Sequence, residues 1–160
     1  MRRACLILCC IFVLAAAVPA LADDFSGLLP ETVGGLKRVQ MVTGTEAQAE
    51  VDRLHGKSLP AEASAIARYA KGGERPAEVW VSRVASEKEA RRQTGLMVHK
   101  MFENPKSPFK DPARLDHNGQ AVYRFTGMGQ VHLIWQAGDL VWWVSADENA
   151  VQPFLDALCR

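Results

Sequence analysis

Apolar residues in this chain fall into short strand-like runs and longer helical stripes, separated by Gly, Pro and Asn-Gly signals. Leu36 to Thr43 reads as a strand that places Val39 and Met41 on one face. Ala47, Val51 and Leu54 then recur at helical spacing. Thr45 and Gln48 form a candidate capping box ahead of them, and Gly56 supplies the stop. Ala63–Lys71 and Ala77–Val84 form a candidate hairpin across Gly72-Gly73, and the continuous Val79-Trp80-Val81 run predicts a strand covered on both faces. Ser86 with Glu89 opens the longest helix, about 87–103. Its stripe contains Ala90, Thr94, Met97 and Met101 and is widened by Val98 and Phe102. Pro105, Pro108 and Pro112 mark the next dozen residues as a surface loop. Strands at about 120–126, 130–137 and 140–146 follow, and Asp147 heads a last helix through Leu158, which Pro153 should kink or delay.

Register follows from the turns. Gly138-Asp139 suits a two-residue type II′ loop, which sets Trp135 opposite Trp142 and Leu133 opposite Val144. Val131, Leu133, Trp135, Leu140, Trp142 and Val144 then share one apolar face. The predicted fold class is α+β. Its antiparallel sheet has about five or six strands, with three helices mainly on one face, in the order β-α-β-β-α-β-β-β-α. Val79-Trp80-Val81-Ser82 and Trp142-Trp143-Val144-Ser145 echo one another, each ending a hairpin before a capped helix. Convergent local signals or a duplicated strand–strand–helix unit would both produce that echo.

Composition changes the picture at the N-terminus. Arg2-Arg3 precede an unbroken apolar run from Ala4 to Val18, and Ala20-Leu21-Ala22 offers small residues at a cleavage site. This pattern predicts a Sec-type signal peptide cleaved after Ala22, hence a periplasmic or secreted domain over 23–160 without stable membrane insertion. The chain carries 19 basic and 18 acidic residues, a balance that offers no electrostatic footprint for nucleic acid. Cys5, Cys9 and Cys10 leave with the signal. Cys159 remains, expected half-exposed at a fraying helix end, with an intermolecular dimer as its one disulfide option.

Chemistry-bearing residues are sparse. His55 belongs to a helix C-terminus, His117 to a solvated turn, and His99 points away from the Met97/Met101 stripe. His132 alternates with Val131 and Leu133, so it faces the other side of the sheet with Ile134, Trp143 and Ser145. A structural role and a ligand contact both fit it. No paired-His motif, nucleophile elbow, phosphate loop or Cys-x-x-Cys occurs, so no catalytic residue, metal or cofactor is nominated. Tyr123, Phe125, Ile134 and Trp143 form an apolar set on the second face. If the helices leave that face open, it is a binding surface.

Leu29-Pro30, Val33, Gly34-Gly35-Leu36-Lys37, Val79-Trp80-Val81-Ser82 and Gly127-Met128-Gly129-Gln130 resemble bacterial exported domains of unknown function. That resemblance implies a periplasmic α+β domain and carries over no catalytic residue. The leading expectation is a non-catalytic exported domain. It binds a partner protein or apolar small molecule through His132, Trp143, Ile134, Tyr123 and Phe125. An enzyme centred on His132 and the Pro-rich loop is the alternative, and a metal or haem carrier the third.

Overall fold

The computed structural model describes residues 25–160; the expected signal peptide over 1–22, with cleavage after Ala22, lies outside the described residues. A short 3-10 turn, Phe25–Gly27, leads into β1 (Thr32–Val33), β2 (Leu36–Thr43), α1 (Gly44–His55), β3 (Ala63–Ala70) and β4 (Ala77–Arg83). Then come α2 (Glu87–Glu103), β5 (Lys110–His117), β6 (Gln120–Gly127), β7 (Gln130–Ala137), β8 (Leu140–Ala146) and α3 (Glu148–Leu158). The strands form one antiparallel sheet in the order β1-β2-β3-β4-β8-β7-β6-β5. Each half is a run of sequence neighbours, and the β4–β8 pair is the seam between them.

The fold is α+β with three helices, but its sheet has eight strands rather than five or six. Both additions lie at the sheet edges. Gly34 and Gly35, at φ of 56° and 83°, make a two-residue turn that pairs Val33 with Leu36. The segment read as a Pro-rich loop is a loop through Phe109, and its second half becomes β5. Edge position tolerates Pro112, and the register shifts between Lys110 and Ala113, with Asp111 at a φ of 51°. A bulge in β2 between Arg38 and Gln40 leaves Val39 out of the ladder and 61% exposed, so it does not share a buried face with Met41.

The hairpin register stands as expected: Trp135 pairs with Trp142, Leu133 with Val144 and Ala137 with Leu140. The face they share is the main core. Trp135 and Trp142 stack with centroids 5.5 Å apart, and Phe25, Leu29, Val33, Tyr69, Phe154, Leu155 and Leu158 close over it. The opposite face carries Ser64, Ile66, Trp80, Ser82, His132, Ile134 and Trp143, placed together by register. There α2 sets Met101 against Phe125 and Ile134, while Gln48 of α1 accepts a hydrogen bond from Ser64 at 2.8 Å. Two helices therefore cover one face and α3 covers the other, in place of three mainly on one side.

Helix ends explain several details. Ser86 accepts from the Glu89 amide at 3.2 Å, so α2 starts where its capping signal puts it. Phe102, however, is 67% exposed and adds nothing to the buried stripe. The first helix begins at Gly44, ahead of Thr45, and Gln48 ties Asp52 and the Leu59 carbonyl instead of capping. Pro153 lies inside α3, which continues through it.

Echo and architecture also part company. Trp80 pairs directly with Trp143, and Val79–Val144 and Val81–Trp142 flank them symmetrically. A local two-fold axis therefore passes through the tryptophan pair. Yet the helices that follow, α2 and α3, pack on opposite faces, so the echo stops at the strands.

Candidate functional site

Two helices on one face do not close it completely. Between α1 and α2 runs a groove floored by Trp80 and Trp143, the pair at the seam. One part, of about 130 Å³, reaches Val51, Leu59, Pro60, Ala61, Gln93 and Leu96. The other, of about 470 Å³, reaches Arg75, Pro76, Met101, Met128, Gln130 and His132. Leu54, His55, Trp80, Met97, Lys100 and Trp143 line both, so the two parts are continuous. The larger volume is within the range of small-molecule sites, roughly 300–1,000 Å³.

The groove exists because α1 sits over β3 while α2 sits over β7 and β8, leaving β4 between them. Leu54 and Leu96 continue the apolar stripes of their helices beyond the packed region, at 57% and 46% exposure. Met128 reaches the other end at 56% exposure, carried by the Met128-Gly129 turn between β6 and β7. Hydrophobic side chains thus line a concavity instead of a packed core.

His132 lies at the wall and is only 2% exposed. The Trp143 indole N–H donates to Ser145 Oγ at 2.9 Å, so the Ser145 hydroxyl is free to donate to His132 Nδ1, also at 2.9 Å. His132 Nε2 then carries the proton and donates to the Gly127 carbonyl at 3.0 Å. Phe109 stands edge-on to both rings, 4.9 Å from His132 and 5.4 Å from Trp143. Burial pushes His132 below the ordinary imidazole value; the Gly127 carbonyl opposes this and the Arg75 charge adds to it. The ring is neutral and fully bonded, and no carboxylate hydrogen-bonds it among the described residues. Its chemistry is to fix the orientation of Trp143 on the floor.

Sequence reasoning set His132, Trp143, Ile134, Tyr123 and Phe125 on one face, and the strand pairing agrees. Only His132 and Trp143 reach the groove. Ile134 and Phe125 are buried beneath Met101, and Tyr123 packs beside them, so the condition for a binding surface there, a second face left open by the helices, is not met at these three residues. Residues missed were Trp80 and the helix positions Leu54, Leu96, Met97 and Lys100. The signal that could have found Trp80 is the echo itself, which centres a strand pair on Trp80 and Trp143. His117, expected in solvent, keeps 14% side-chain exposure beside Asp156, and Cys159 is buried rather than half-exposed.

Cations dominate the rim. Lys57, Arg92, Lys100 and Arg75 line the groove against a single carboxylate, Glu78. Arg92 is held by Glu89 at 2.6 Å, Glu78 by Arg68 at 2.8 Å, and Arg75 donates to the Met128 carbonyl. Lys57 and Lys100 form no ion pair among the described residues. Nor do three or more His, Cys, Asp or Glu side chains converge there as a metal site would require. No described helix is long and apolar enough to cross a membrane. No family model, curated protein or solved structure matches this chain.

Proposed function

We propose that this chain is an exported, non-catalytic binding domain whose ligand is an apolar small molecule held in the groove between α1 and α2. One observation carries the reading: two tryptophans floor a concavity whose lips, Leu54, Leu96 and Met128, are exposed apolar side chains. A core would bury such residues, and a solvated face would not gather them around a hollow. The export half of the reading rests on the N-terminal pattern ending at Ala22. Nothing at His132 favours the enzyme alternative, because both its ring nitrogens serve the floor.

A neutral probe tests the groove. Titrating the mature chain with 1-dodecanol while following tryptophan fluorescence is expected to give saturable binding. Leu54→Asp with Leu96→Asp should abolish it at an unchanged melting temperature, since both side chains are exposed. Absence of saturable binding, or binding undiminished in the double variant, would remove the reading. N-terminal sequencing of the exported protein should begin at Asp23; a retained 1–22 segment in the membrane fraction would overturn the address.

A further inference from the structure

We infer that the groove selects a single-chain anionic amphiphile, such as a fatty acid, with its tail on the Trp80–Trp143 floor and its head at Lys57 and Lys100. This deepens the proposed function and rests on it. Charge complementarity makes the choice. Four cationic side chains line the groove against one carboxylate, and that carboxylate is already paired with Arg68. Arg92 and Arg75 are likewise engaged by the protein. Lys57 and Lys100 remain, one beyond the end of α1 and the other on α2, so they approach the groove from its two walls. Lysine stems can lie along apolar walls while their ammonium groups meet a head group at the surface.

One term opposes an anion here, the C-terminus of α1 with its partial negative charge. It is blunted, because the Gly56 and Lys57 amides satisfy the Arg53 and Asp52 carbonyls at 3.2 Å each. Length fits as well. From Ser82 to Glu78 the floor follows four residue steps of β4, about 13 Å, which suits an extended chain on the order of ten carbons. An uncharged ligand would leave both lysines unanswered, and a cationic one would meet repulsion.

Calorimetric titration of the mature chain with dodecanoate, 1-dodecanol and dodecyltrimethylammonium, each below its micelle concentration, tests the inference. Dodecanoate should bind about tenfold or more tighter than dodecanol, and the cation weakest. Lys57→Glu with Lys100→Glu should erase the dodecanoate preference, bringing its affinity down to that of dodecanol or below. Equal affinities for dodecanoate and dodecanol would overturn the anionic assignment while the apolar groove stands. A preference that survives the double variant would overturn the role of the two lysines. Failure of all three ligands would overturn the groove reading itself.

Discussion

Adjacent tryptophans in β8 have opposite surroundings, because strand alternation sends them to different faces. Trp142 is 3% exposed and stacks on Trp135 in the main core, whereas Trp143 is half-buried on the groove floor. Trp142→Ala should therefore cost about 3–5 kcal/mol, by transfer and cavity together. Trp143→Ala should cost about 1–2 kcal/mol, through its lost indole bond to Ser145 and the Phe109 edge, while weakening dodecanol binding. Denaturant melts of the two variants check the difference; equal losses would mean the groove is packed shut. His132 predicts a pH dependence. Its folded value lies below the ordinary 6.5, so beneath pH 6.5 the unfolded chain takes up a proton that the folded ring refuses. Stability is then fully present above that pH and falls as pH drops from 6.5 toward the folded value. Melts between pH 8 and pH 5 should show a shallower decline in His132→Gln than in wild type.

Between neighbouring glycines of the β1–β2 turn, the sequence offers no distinction, but the packing of α3 does. A Cβ on Gly34 would lie 2.6 Å from Pro153 Cβ, while one on Gly35 meets open space; both have positive φ. Gly35→Ala should cost about 1 kcal/mol from backbone strain alone, and Gly34→Ala about 2–3 kcal/mol, since Pro153 is rigid and must shift. Thermal melts separate them. The same contrast explains what could be read at the level of elements. Six strands and three helices were legible because alternation, caps and turn residues are local properties of the chain. The edge strands were not. β1 is two residues long, and β5 keeps an exposed face and a proline, so neither has an apolar pattern of its own. Which face a helix covers is also absent from its own stripe. The stripe of α2 says that it packs, and only the sheet order says that it packs over β7 and β8 and leaves a hollow above Trp80. That is why His132 and Trp143 were found and Leu54, Leu96 and Lys100 were not.

Over the whole molecule, the C-terminus is tied down more firmly than its last residues suggest. Asn118 donates to the Cys159 carbonyl at 3.1 Å, and the thiol, fully covered, approaches the His117 carbonyl at 3.9 Å. Burial, with Asp116 adding, pushes the Cys159 thiol up to about 11. At pH 8 the native protein should resist alkylation, reacting at least about a hundredfold slower than after unfolding in guanidinium. A rapid native reaction would show that the C-terminal turn opens freely. A Cys159-linked dimer accordingly requires that turn to open first.

The single seam has a consequence for how the molecule comes apart. Each half of the sheet is a contiguous stretch of chain, yet two helices bind the halves together: α2 leaves β4 and lands on β7 and β8, while α3 leaves β8 and packs on β7 and β8 and across to β1, with Phe154 against Tyr69 at 5.3 Å. Neither half can keep its apolar surface from water without the other. The hairpins can form alone within microseconds, but they become permanent only when β8 meets β4 across some sixty residues of intervening chain. Unfolding should consequently be a single cooperative event, with no half left standing, and amide hydrogens of β3 and β7 should exchange with the same free energy.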